Sequence, residues 1–241
     1  MNFDVYCYSD KGGRDRNEDS MTYLTNENNG IFVVADGLGG HKYGDLASKV
    51  VCDSLVDNWN GKFDTNLQDW LEKRIECSNK AVIAMQKEKG DILKSTVVAL
   101  AVDNGRAVWA NSGDSRLYYI SDKALKMVTN DHSVAFKKYK AGEITREQIM
   151  TDEDQSCLLR AIGGIDRYQP EIYNSDIMLK SGDAFMLCSD GIWEYVYDRE
   201  VAADYLKSKS ATQWAKRLIH RVESRAKSDN DNLTIMTIVV V

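Results

Sequence analysis

The sequence predicts an α+β sandwich, with helices layered on antiparallel sheets. Two helical stretches, over about residues 43–89 and 211–227, flank a middle rich in short strand-like runs. Those runs are divided by the turn signals DNGR, SGDS and SDKA. The Asp103-Asn104-Gly105 turn marks a hairpin, because Asn-Gly suits two positions of positive φ. Short neighbouring strands joined in this way pair antiparallel. Three apolar runs, IFVVA, AFMLC and LTIMTIVVV, adjoin acidic residues, and the first reads as a buried strand entering a turn.

Strands are expected first at residues 3–8, 20–25 and 30–35. A helix at about 43–59 has Leu46, Val50, Val51 and Leu55 at helical spacing. A second at about 67–89 repeats Leu67, Trp70, Leu71, Ile75, Val82 and Met85 on one face, so the pair suits one side of a sheet. Strands follow at 95–102, 106–111, 116–121 and 125–128. Residues 133–154 are helical in pattern, densely charged and interrupted at Gly142. Without a clear apolar stripe they suit a surface helical flap better than a core element. Further strands are expected at 171–178 and 184–189. A helix at about 211–227 carries Trp214, Leu218, Ile219 and Val222, and a β-prone strand closes the chain. No linker or internal repeat divides residues 1–241, so a single domain is expected.

Composition narrows the function classes. A hydrophobic fraction of 43% supports a full core. No apolar stretch approaches the roughly 20 residues of a membrane span, and the start lacks a signal-peptide core, so a cytoplasmic protein without membrane attachment is expected. The net charge of −6 and the absence of a basic run argue against nucleic-acid binding. Five cysteines without CxxC spacing, an odd number, argue against a disulfide framework or zinc ribbon and are expected as reduced, mostly buried thiols.

The chemistry concentrates in four acidic clusters: RNED at 16–19, ADGLGGH at 35–41, CSDG at 188–191 and NDNLT at 230–234. Carboxylates at strand ends can converge at one sheet edge, where their mutual repulsion calls for a cation between them. Oxygen donors without His/Cys ligand spacing select Mg²⁺ or Mn²⁺ over zinc or copper. Glu18, Asp36, Asp190 and Asp231 provide enough ligands for two ions. A bridging Asp36 would hold a pair roughly 3.5–4 Å apart, the separation that activates a water and clamps a transferring phosphoryl group. The glycine-rich turn behind Asp36 permits close backbone approach and can expose a carbonyl oxygen to a cation.

Eight segments carry a family resemblance: RDRNEDS at 14–20, VVADGLGGHKYGDLAS at 33–48, STVVALAV at 95–102, ANSGDSRLYYI at 110–120, VTNDHSV at 128–134, LLRAIG at 158–163, LCSDGIWEYV at 187–196 and DNLTIMTIVV at 231–240. In this order they resemble the metal-dependent serine/threonine protein phosphatases of type 2C, in a compact bacterial form. The resemblance implies a four-layer α-β-β-α sandwich, two mostly antiparallel sheets face to face with helices on both outer sides. It implies that Asp36 bridges two Mn²⁺ or Mg²⁺ ions, that the Gly37 carbonyl and Glu18 serve one, and that Asp190 and Asp231 hold the other. Asp19 would orient metal-bound waters or act as a structural acceptor, and Asp114 resembles a position supporting a third, weaker metal. Arg14 resembles the arginine that grips the substrate phosphate.

Where eukaryotic members have a histidine directly after the Asp-Gly, this chain has Leu38. His41 matches the later histidine of the bacterial motif, leaving it either a proton donor to the leaving group or a loop hydrogen-bonding residue. His132 is expected to anchor the flap, His220 to lie on the surface, and the Trp193 stretch to pack beside the site. Ser95 stands where the family has Gly-Thr-Thr, and Ser115 lacks a supporting base. The implied activity is hydrolysis of phosphoserine and phosphothreonine in proteins by a water bridging two metals. The implied partners are then a phosphoprotein substrate and a Ser/Thr kinase or its targets, and the protein is expected to be a monomer. Rival readings are a catalytically silent regulatory binding module, which typically lacks metal ligands, and a two-metal nuclease or small-molecule phosphatase.

Overall fold

Along the strand Asn29–Asp36 the side chains alternate between two apolar environments. Ile31, Val33 and Ala35 pack among helical residues, whereas Phe32 and Val34 pack against strands of a facing sheet. Neither face meets water, so the run is apolar at every position from 31 to 35. The computed structural model describes residues 1–38 and 43–241.

In chain order the strands are β1 (Phe3–Asp10), β2 (Asp19–Thr25), β3 (Asn29–Asp36), β4 (Val97–Asp103), β5 (Arg106–Ser112), β6 (Arg116–Ser121), β7 (Ala124–Val128), β8 (Glu171–Met178), β9 (Ala184–Cys188) and β10 (Leu233–Val240). The helices are α1 (Gly44–Val56), α2 (Leu67–Lys89), α3 (Val134–Ala141), the single turn α4 (Asp190–Trp193), α5 (Asp198–Leu206) and α6 (Ala211–Arg225). Among the described residues the strands form two five-stranded sheets, ordered β1-β10-β9-β6-β7 and β2-β3-β4-β5-β8. Every pairing in them is antiparallel.

The core has three layers of side chains, as four stacked layers require. One lies between α1, α2 and the β2–β8 sheet and contains Val51, Leu55, Leu71 and Ile75. The middle layer joins the two sheets through Phe32, Leu100, Trp109, Phe185 and Met236. The third places Trp214, Leu218 and Val222 of α6 on the β1–β7 sheet. Helix ends follow local chemistry. The Asn66 side chain accepts from the Asp69 amide at the start of α2, and Gly90 closes that helix in a left-handed conformation. Among the described residues no helix is long and apolar enough to cross a membrane.

Two expectations need correction, and one helix was not anticipated. The segment 133–154 is not merely a surface flap: Ala135, Phe136 and Ile149 are buried in the third core layer, with a 3₁₀ turn at Glu147–Thr151. Its apolar residues are spread over two short elements, so no continuous stripe exists to be read. Helix α5 was not anticipated, because its nine residues bury chiefly Val201 and Asp204. The cysteines are all free, but only Cys52 and Cys188 are buried, whereas Cys77 and Cys157 are exposed.

Candidate active site

The start of β2 lies beside the end of β3, and their antiparallel register sets Asp19 opposite Asp36. The Asp36 amide donates to Thr96 Oγ1 at 3.0 Å, and its carbonyl accepts from the Thr96 amide at 2.8 Å and the Ser95 hydroxyl at 2.9 Å. Ser95 therefore helps hold the backbone of Asp36. Beyond it, Gly37 donates its amide to the Glu18 carbonyl at 3.0 Å. A Cβ at Gly37 would lie 2.1 Å from the Gly44 carbonyl oxygen, so only glycine lets β3 pass between Glu18 and the first turn of α1.

The other sheet supplies the opposite wall. The Ser189 amide donates to the Thr234 carbonyl at 3.0 Å, bringing Asp190, just after β9, beside Asp231, just before β10. Asp114 follows β5 and is 3% exposed. Glu18, Asp36, Asp114, Asp190 and Asp231 line one cleft with Arg14 and the Gly37 backbone. Residues more than 200 positions apart in sequence thus meet where the two sheets end. Asp19 stands behind, its Oδ2 accepting from the Ser189 hydroxyl at 2.7 Å. Arg14 Nη2 donates to Asp231 Oδ2 at 2.9 Å from the cleft rim.

So many carboxylates leave the cleft strongly biased towards proton or cation uptake. Burial, followed by the charges of Asp19, Asp190, Asp114 and Asp231, pushes the Asp36 carboxyl well above the ordinary range. Burial and then Asp114 do the same to Asp190. Burial raises Asp19 to about 6, and burial followed by Asp131 raises Asp114 to about 7. Asp19 Oδ1 and Asp114 Oδ1 are buried without a hydrogen-bond donor. Orphaned anionic oxygens of this kind fit a hard divalent cation, whereas the cleft holds neither thiolate nor imidazole donors for zinc among its described lining residues. Among the described residues no three His, Cys, Asp or Glu side chains close around a single point. Carboxylates spaced round a cleft suit ions that retain part of their water shell, as Mg²⁺ does.

The structure brings together Arg14, Glu18, Asp36, Gly37, Asp114, Asp190 and Asp231 at the cleft, with Asp19 behind them. His41 lies outside the described residues. His132 is 8% exposed and ties segments together: its Nδ1 accepts from the Gly113 amide at 3.2 Å, leaving Nε2 to donate to Glu171 Oε2 at 3.3 Å. His220 is on the surface, its side chain 82% exposed.

Sequence reasoning missed several supports. Asn232 Oδ1 accepts from the Glu18 amide at 2.7 Å, and its Nδ2 donates to the Lys11 and Arg16 carbonyls at 2.9 Å each. Buried Arg116 forms a two-point pair with Asp131 and stacks 3.7 Å over the Trp193 ring, whose Nε1 donates to the Asp114 carbonyl at 2.9 Å. Glu194, raised to about 7 chiefly by burial and then by Asp231, accepts from Gln155 Nε2 at 2.6 Å and links segment 133–157 to the site. Asn232, Arg116 and Glu194 lie in the segments that carry the family resemblance, near Asp231, Asp114 and Asp190, but nothing in their local pattern marks them as supports.

The sequence profile described as protein phosphatase 2C matches residues 11–233. The serine/threonine phosphatase stp of Listeria welshimeri is 31% identical over 232 residues, covering 93% of this chain and 90% of that protein. Protein phosphatase PhpP of Streptococcus pneumoniae is 28% identical over 193 residues, 78% of each chain. Among solved structures, serine/threonine phosphatase Stp1 from Staphylococcus aureus superposes with a TM-score of 0.89 at 28% identity, over 100% of this chain and 96% of that one. The catalytic domain of serine threonine protein phosphatase PstP, in complex with two manganese ions, gives a TM-score of 0.85 at 26% identity, over 99% of this chain and 98% of that one.

Proposed function

The chain belongs to the protein phosphatase 2C family of serine/threonine phosphatases, and from that premise we propose that it hydrolyses phosphoserine and phosphothreonine in proteins with two Mn²⁺ or Mg²⁺ ions. The observation that carries the reading is the cleft itself: Glu18, Asp36, Asp114, Asp190 and Asp231 line a common space with Arg14, and two buried oxygens of the acidic set, Asp19 Oδ1 and Asp114 Oδ1, lack donors.

Asp36 would serve both ions, Glu18 and the Gly37 carbonyl one of them, and Asp190 and Asp231 the other, with Asp114 the candidate for a weaker third. Bound there, the metals would supply Lewis-acid activation of water and offset charge on the phosphoryl oxygens. Arg14, already beside Asp231, presents a planar fork of donors from the cleft rim and would orient the substrate phosphate. Asp19 would set the orientation of water through its free Oδ1 while Ser189 holds its other oxygen. Water oxygen ends on phosphorus, the ester bond to the serine or threonine oxygen breaks, and that oxygen leaves carrying a proton.

The protein forms no bond to phosphorus in this scheme. Burial pushes the Cys52 and Cys188 thiols far up, and Ser115 is buried with its hydroxyl 2.6 Å from Thr96 Oγ1. The implied partners are phosphoproteins and the kinases that produce them.

Purified protein should hydrolyse an aryl phosphate and phosphothreonine peptides only with Mn²⁺ or Mg²⁺ present. Asp36→Asn and Asp190→Asn should each lose more than the roughly hundredfold typical of changes one layer out from a metal. Turnover that survives chelation, or survives both substitutions, would sink the two-metal scheme.

A further inference from the structure

Beside the acidic cleft lies a second basin of opposite character. Its position follows from three backbone segments laid edge to edge: Gly37 bridges Ser95, and Ser95 bridges Ile162. The Leu38 amide donates to the Lys94 carbonyl at 3.1 Å, and Ser95 and Ile162 exchange bonds of 3.1 and 2.8 Å. Lys94 is thereby fixed between the loop that carries Gly37 and the loop at 160–167. Leu38, Lys94 and Leu158 line both the acidic cleft and the second basin, which continues to Arg160, Ile165 and Arg167.

The charge of this basin contrasts with the rest of the site. Lys94, Arg160 and Arg167 face one acid, Asp166, in a chain whose net charge is −6. Among the described residues the Lys94 ammonium and the Arg167 guanidinium make no hydrogen bond or ion pair, whereas Arg160 reaches the Gln169 carbonyl at 3.4 Å. Ile165 is 79% exposed at the same rim. The groove on the opposite flank carries the other sign, with more acids than bases in its lining. There Glu147, Glu194 and Asp229 outnumber Lys227, and Arg225 is engaged by Glu200. An extended chain whose phosphorylated side chain enters the cleft places residues one or two positions away at most about 7 Å further along, within reach of an adjoining basin.

We propose that this basin selects phosphoprotein segments in which an aspartate or glutamate stands one or two positions from the phosphorylated residue, with Lys94 as the specificity-determining cation. This rests on the phosphatase reading above. The acidic neighbour would pair with Lys94 and Arg167 while the phosphate sits among the metals and Arg14. Exposed pairs of this type change affinity by on the order of two- to fivefold each, more strongly at low salt.

The test compares kcat/KM for two phosphothreonine peptides that differ only in acidic or lysine neighbours, with an aryl phosphate measured alongside. The full chain is assayed with Mn²⁺ as wild type, Lys94→Ala and Lys94→Glu. The wild type should favour the acidic peptide by about five- to tenfold through KM. Lys94→Ala should bring the ratio towards one. Lys94→Glu should reverse it, a gain for the lysine peptide that misfolding cannot produce. Equal rates on both peptides by an active wild type, or a preference untouched by Lys94→Glu, would overturn the basin while leaving the phosphatase reading intact. No turnover of any substrate would instead overturn that reading, and the basin with it.

Discussion

Asn232 uses every hydrogen-bonding atom of its buried side chain on the backbone of the loop that carries Arg14 and Glu18. It is thus a positioning residue. Asn232→Ala would leave the Glu18 amide and two carbonyls without these partners, costing about 1–3 kcal/mol. Arg14 would lose its fixed approach to the phosphate, so KM for phosphopeptides should rise by roughly tenfold, with a smaller fall in kcat. A purely structural role predicts a lower Tm with KM unchanged, which steady-state kinetics and a melting curve would separate. The neighbouring Asp231 was legible from its acidic cluster, but Asn232 was not. Nothing in the pattern Asn-Asp-Asn tells which amide faces inwards until β1 and β10 are paired.

At the scale of elements, the segment 133–157 is held by more than its helix. Lys138 pairs with Asp152 at 3.0 Å and Asp154 at 2.7 Å, Arg146 with Asp198 at 2.7 Å, and Glu147 with Arg199. Beneath these pairs Phe136 and Ile149 enter the core. Such ion pairs at partly exposed positions contribute little individually, so burial decides the attachment. Ile149→Ala should therefore destabilise the protein by about 2–4 kcal/mol in urea unfolding. A cost below about 1 kcal/mol, the range of surface substitutions, would restore the surface flap expected from sequence. The sequence failed here for a definite reason. An eight-residue helix and a five-residue 3₁₀ turn each contribute one large buried side chain, too few for a period to emerge.

For the whole molecule, the acidic cleft couples stability to pH and to metal. Asp19 and Asp114 rise from the ordinary 3.8 to about 6 and about 7, and Glu194 from 4.5 to about 7. A carboxyl raised in this way holds its proton more tightly folded than unfolded. Its contribution is full below about pH 4 and is lost as pH rises through 6 to 7. Glu171 runs the other way: drawn down to about 2, first by its bond with His132, it loses its contribution only as pH falls below about 4.5. The chelated protein should therefore lose Tm between about pH 4.5 and 7. Mn²⁺ should restore it, with the gap between the two curves widening over that window as protons cease to compete. A gap independent of pH would contradict the electrostatic picture. By itself the sequence determined the strands, the two long helices and α6, and the acidic residues at the strand ends, because alternation, helical spacing and turn chemistry are local properties. Fold class was legible for the same reason. Tertiary structure alone decided which sheet edge the clusters share, that Asp19 stands behind Asp36, and that Lys94 lies between an acidic cleft and a basic basin. Those relations depend on strand order and on loops meeting across the sandwich, and sequence spacing holds no record of either.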